Sequence, residues 1–362
     1  MRCRVALLTG AVLAAGLGCQ AAAPLEHAER IAATYATGLD RPFPELPEST
    51  PEQVDLGRLL FFDRVLSGPH DASCADCHRP EFGLADGERT SRGVHGPLPR
   101  NAPTLYNVGF KQRLFWDRRS PSLEAQVFGP LFSPDEMAAD PNELLARLRA
   151  IPEYVDRFGR AFPEASEPVA LEHVARAIAA FERTLVSRGS RYDRWAAGER
   201  GALDAAELRG FRTFRSLETR CFECHRPPTF DAPIAVGVGV SSDDPGVAGV
   251  NGNRAQFGFF GVPTLRNVAQ TAPYMHDGSL ATLEDVVDFY RKGGGRALGV
   301  DPERVDTQVR AFELSDREAA ELVAFLRTLT DESSRPERPK SVPSGLPVAS
   351  PRLERMGEEP IQ

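Results

Sequence analysis

Two short strings hold the residues best suited to chemistry. Residues 74–78 read CADCH and residues 221–225 read CFECH, each a pair of thiols three residues apart with an imidazole directly after the second. That spacing matches the two vinyl groups of a haem, to which the thiols add as thioethers, and the adjoining His78 or His225 supplies the proximal nitrogen to iron. One such pentapeptide also fits a redox CxxC, or half a zinc site beside a chance histidine. Two copies favour two covalent c-type haems, because Cys74, Cys77, Cys221 and Cys224 leave only Cys3 and Cys19 of the six cysteines, both near the N-terminus.

Those two have a reading of their own. Residues 1–18 join Arg2 and Arg4 to an apolar run too short to span a bilayer, the form of a secretory signal, so the mature chain is expected outside the cytoplasm, in a bacterial periplasm. Cys19, after Leu17 and Gly18, fits lipoprotein processing and a lipid tether to the membrane. Ordinary cleavage nearby is the alternative, since Gly16 stands where such sites usually carry Leu. At 362 residues, 41% hydrophobic and net charge -8, the chain reads as globular and soluble, with room for two domains. The acidic balance argues against nucleic acid as a partner and suits a small basic electron-donor protein.

The elements that must position the two strings repeat one plan. Thr50, Pro51 and Gln53 form a helix start with a capping box, and the helix runs into the first string; Asp204 and Glu207 do the same before the second, with His78 and His225 separated by 147 residues. Between them, residues 170–186 place Leu171, Val174, Ala175, Ile178 and Phe181 on one helical face, and His173 reads as an ordinary surface or core histidine. The expected fold is all-α: two tandem cytochrome c-type haem domains with long loops, at 45–190 and 191–330. Residues 331–362, rich in Pro, Ser, Arg and Glu, are expected to form a disordered tail.

Several further strings, LGRLLFFDRVLSG, RNAPTLYN, FWDRR, GVPTLRNVAQTAPYMHDGSLATLE and LSDREAAELVAFLRTLT, resemble the bacterial di-haem cytochrome c peroxidase and MauG family over roughly residues 50–330. One departure is Arg118 in FWDRR, where the family usually has glycine. The resemblance implies that hydrogen peroxide reacts at the N-terminal haem, that the C-terminal haem stores or relays an oxidising equivalent, and that Trp116 lies between them, its ring able to lose and regain an electron. It places Gln126 and Glu136, with Pro130 between, in the distal pocket, and Glu136 is the candidate acid and base, because O–O cleavage needs a proton moved from the inner to the outer oxygen. It also makes His95 a candidate for a ligand that leaves the resting N-terminal haem, against a plain loop histidine.

For the second haem the resemblance points to the residue fourteen beyond His276, which is Tyr290. Ordinary peroxidases of the family carry methionine there, MauG-type enzymes tyrosine. Thr282 and Asp285 form a capping box, and Leu283, Val286, Val287 and Tyr290 share one helical face, so Tyr290 is expected to point inward, as an iron ligand or a core tyrosine. A phenolate favours ferric over ferrous iron. The family pattern also implies one calcium held by Asn101, Thr271 and Pro273. Two electron sources stay open: a c-type cytochrome or cupredoxin as donor, or a protein substrate oxidised as by MauG. A different class, a non-enzymatic di-haem electron carrier with both irons closed, is disfavoured by Gln126, Pro130 and Glu136.

Overall fold

A computed structural model describes residues 42–240 and 243–348. The expected leader, Cys19 and the end of the expected tail lie outside these residues. Among the described residues the chain is mostly helical, with four strands of two or three residues paired into two small antiparallel sheets.

In the N-terminal half, α1 (Pro51–Phe62) starts where Thr50 Oγ1 accepts from the Gln53 amide and Gln53 Oε1 accepts from the Thr50 amide, both at 3.2 Å. It leads to the one-turn helix α2 (Cys74–Cys77). A hairpin of β1 (Arg92–Gly93) and β2 (Gly96–Pro97) follows. Then come α3 (Leu123–Phe132), α4 (Pro141–Arg149), α5 (Pro152–Ala161) and α6 (Leu171–Glu182). The apolar stripe expected on residues 170–186 is the buried face of α6, which packs on α1 and α3.

The C-terminal half runs through α7 (Arg191–Ala196), α8 (Ala205–Phe214), the one-turn α9 (Cys221–Cys224), β3 (Ala235–Gly237), α10 (Ala248–Asn251), β4 (Phe259–Gly261), α11 (Leu283–Arg291) and α12 (Asp316–Arg327). Both expected capping boxes, Asp204 with Glu207 and Thr282 with Asp285, start their helices. Here α8 packs on α12, and Tyr192, Trp195, Phe211, Phe214, Phe230 and Phe325 form an aromatic core.

Each half depends on one glycine at its main helix crossing. A Cβ on Gly57 of α1 would lie 1.8 Å from the Ala177 carbonyl oxygen of α6, and one on Gly210 of α8 would lie 1.9 Å from that of Glu321 on α12. Only glycine lets the backbones approach this closely, so the two cysteine strings are carried by two copies of one helix pair.

The expectation of a disordered tail from residue 331 is corrected for residues 331–348. Val342 is buried in the N-terminal core beside Phe61 and Phe62, and Leu346 packs on the adjoining cluster. Ser344 Oγ donates to Asp63 Oδ1 (2.6 Å), and Arg338 pairs with Glu81 (2.7 Å). Apart from one helical turn at Glu332–Ser334 the segment has no helix or strand, and Arg338 and Ser344 bond to side chains of the first half.

Candidate active site

The two CxxCH strings fold alike. Each forms one helical turn, and each histidine then turns its Nδ1 to a carbonyl five or six residues on: His78 donates to Leu84 O and His225 to Phe230 O, both at 3.0 Å. A carbonyl only accepts, so Nδ1 carries the proton and Nε2 keeps its lone pair. Burial lowers both imidazoles below their ordinary range, which keeps them neutral and fit to bind iron. The four thiols are unpaired. Burial pushes Cys77 up to about 12 and Cys221 up to about 11, and raises Cys74 and Cys224 as well. A redox CxxC needs the opposite shift, toward thiolate. Neutral thiols and neutral imidazoles on the cavity walls fit a thioether-bound haem.

The cavity at the first string measures about 780 Å3, within the range of ligand sites. His78, Cys77, Gln126, Pro130 and Glu136 line it, so the structure brings together the residues singled out for the distal pocket. Gln126 and Pro130 stand one turn apart on α3. Glu136 follows in the turn after that helix, half-buried; burial raises its pKa, partly opposed by Arg119. The backbone there is braced by the β1–β2 hairpin: Val94 N donates to Glu136 O (2.9 Å), and a Cβ on Gly93 would lie 1.7 Å from Asp135 O.

Around the second string, Cys221, Cys224, His225, Met275 and Tyr290 line one cavity. Tyr290 sits on α11, and burial together with the nearby Cys221 and Cys224 raises its hydroxyl above the ordinary tyrosine range. Trp116 lines both cavities, its Nε1 donating to Asn101 O (2.9 Å). Asn101, Thr271 and Pro273 all line the second cavity, and the buried Asn101 amide donates to Glu88 O (2.8 Å). His95 is not brought to the site: it stands exposed in the β1–β2 turn and lines none of these cavities.

Sequence reasoning missed how the wall between the cavities is built. The turns Leu114–Ser120 and Tyr274–Leu280 close through the same pair of backbone bonds, which places Trp116 and His276 at matching positions 160 residues apart. Asn101 N donates to His276 O (2.8 Å) and Gly261 N to Trp116 O (2.7 Å), again related by 160. His276, buried and stacked on Phe260 at 3.7 Å, also lines both cavities. The signal was present in the strings APTLYN and VPTLRN, at the same offset. Arg118 takes a left-handed backbone (φ 60°) where the matching Gly278 has φ 62°, and its guanidinium donates to Pro233 O and Ile234 O in the second half. Lys111 likewise crosses to Asp231 (3.3 Å).

Fold and sites together define a mostly helical c-type cytochrome with two haem-attachment strings facing a common wall. Residues 51–201 match the family model described as di-haem cytochrome c peroxidase. The methylamine utilization protein MauG of Methylorubrum extorquens is 38% identical over 301 residues, 80% of this chain and 82% of that one. The cytochrome c551 peroxidase of Pseudomonas aeruginosa is 34% identical over 335 residues, 88% and 91% of the two chains. The crystal structure of a MauG-like protein associated with microbial copper homeostasis superposes with a TM-score of 0.74 at 35% identity, over 86% of this chain and 96% of that one. The chain belongs to the di-haem cytochrome c peroxidase and MauG family. It is accordingly an enzyme of the peroxidase-like class, and its cofactors are two c-type haems. No helix among the described residues is long and apolar enough to cross a membrane.

Proposed function

We propose that the chain uses hydrogen peroxide at the first site, with Cys74, Cys77 and His78 holding one haem and Cys221, Cys224 and His225 the other, in two tandem cytochrome c-type domains. When bound, the haems supply the redox chemistry of peroxide cleavage and of storing the oxidising equivalents. The observation that carries the reading is that Glu136, Gln126 and Pro130 share one cavity with His78, while Trp116 stands in its wall toward His225. Glu136 takes the proton from the inner peroxide oxygen on its carboxylate and returns it to the outer one; Gln126 orients the peroxide. Trp116, anchored through Nε1, gives and regains an electron between the halves.

Tyr290, which lines the same cavity as His225, would be a second residue holding that haem's iron, which favours a MauG-like protein substrate over a cytochrome or cupredoxin donor. Asn101, Thr271 and Pro273 would hold a calcium ion through oxygen atoms, with water completing the shell. His95 could ligate only if its hairpin swung inward. The export signal and the periplasmic location belong to this reading too, with tethering through Cys19 if that residue is lipidated.

Stopped-flow mixing of the diferric protein with peroxide tests the proposal. An open first site gives a high-spin ferric spectrum and a fast reaction without prior reduction. Glu136→Gln should slow O–O cleavage by about a hundredfold or more, the scale of general acid-base catalysis. Since the carboxylate is the working form and burial raises its pKa, the wild-type rate should fall as pH drops through a value above the ordinary carboxylate range, while the variant stays flat. A low-spin first site inert to peroxide would instead identify an electron carrier.

A further inference from the structure

Among the carboxyl groups that line the first cavity, Glu182 is one that the mechanism above leaves without a task. Glu182 closes α6, is 5% exposed, and lines the cavity with Cys77, His78, Gln126 and Glu136. Its Oε2 is buried with no hydrogen-bond partner among the described residues. The adjoining cation does not neutralise it, because the Arg183 guanidinium donates to Glu124 of α3 (2.5 Å). Arg183, Glu124 and the Cys74 thiol of α2 are the charged or titratable groups that face it. The residue before Glu182, Phe181, packs on the rings of Phe61 and Phe62 of α1 in an apolar cluster that also holds Val108.

A bare carboxylate in such a dry site would be costly, so the group keeps a proton. Burial pushes Glu182 up to about 8, the like charge of Glu124 adding to the effect and Arg183 opposing it. A neutral acid poised near neutrality beside a redox centre responds to that centre's charge.

We propose that Glu182 is the charge-compensating proton site of the first haem, protonated while the iron is ferrous and giving up its proton when the iron becomes ferric. The proposal rests on residues 74–78 holding that haem. Oxidation removes one electron from iron to the external acceptor and one proton from the Glu182 carboxyl to water; reduction returns both. The added positive charge on iron favours the carboxylate, and the carboxylate in turn stabilises ferric iron.

The test uses the full chain with both haems verified by mass, in redox-difference infrared spectroscopy and in electrochemical titration of the first haem on either side of about pH 8. Oxidation should remove a protonated-carboxyl band that shifts in D2O. The potential should fall with rising pH, by up to about 59 mV for each tenfold drop in proton concentration. Glu182→Gln, neutral and of the same shape, should abolish both signals; Glu182→Asp should keep them. Persistence of band and slope in Glu182→Gln, or lack of both in the wild type, overturns the proposal. Glu136→Gln should keep band and slope while losing peroxide cleavage, which separates this inference from the catalytic one. Lack of haem at Cys74 and Cys77 would overturn both.

Discussion

Pro130 and Tyr290 occupy one position in two copies of a helix. α3 starts at Leu123 and α11 at Leu283, and each places the residue seven further on over a cavity wall: proline in the first half, tyrosine in the second. Proline offers no side-chain donor to a metal, so that position leaves the first site open. Tyrosine can close the second. If Tyr290 holds the second iron, Tyr290→Phe should shift the second haem from low-spin toward high-spin in the ferric spectrum, while Tyr290→Met should raise its potential, because a neutral thioether no longer favours the ferric state. If Phe leaves the spectrum unchanged, Tyr290 is a packed core residue. The cysteines and histidines of the two CxxCH strings could be singled out because each string is contiguous with its own spacing, whereas Trp116 and Glu136 were singled out only through the family resemblance. The fold places all of them on the cavity walls except Cys74, which lines only the smaller pocket beside His78. Glu182 and His276 were not legible in this way, since what sets them apart is a missing partner and a shared wall, and neither exists until the chain is folded.

Helix starts were legible for the same local reason: Thr50 with Gln53, Asp204 with Glu207 and Thr282 with Asp285 each satisfy two amides within four residues. What fixes the distal turn is instead long-range. Gly93 of β1 sits against the backbone of Asp135 and Glu136, where any Cβ would collide with a carbonyl oxygen. Gly93→Ala should push the Glu136 turn away from the cavity, costing about 1–3 kcal/mol as overpacking does, and should slow peroxide cleavage although the acid itself is untouched. Denaturant unfolding and the stopped-flow rate check the two parts. Full activity in a destabilised Gly93→Ala variant would mean that the hairpin supports the fold and not the acid.

At the scale of the molecule, the chain returns from its second half to stabilise its first. The tail's composition suggested disorder because Pro, Ser, Arg and Glu bury little, yet Val342 and Leu346 reach two clusters of the N-terminal core. Between them Ser344 meets Asp63, a fully buried carboxylate. Its Oδ1 accepts from Val65 N (2.9 Å) and Ser344 Oγ (2.6 Å), and its Oδ2 from Tyr154 Oη (2.6 Å) and Ser344 N (3.3 Å). A buried carboxylate that loses a donor keeps its desolvation cost without the compensating bond. Ser344→Ala should therefore destabilise the protein by about 1.5–3 kcal/mol, the range for a hydrogen bond to a charged group. The loss should fall on one half: amide hydrogen exchange should quicken in α1 and α5, which flank Asp63 and carry Tyr154, and stay unchanged in α8 and α12. Faster exchange in both halves would show that the strap joins them into one cooperative unit, and no change in either would show that water replaces the Ser344 hydroxyl at Asp63.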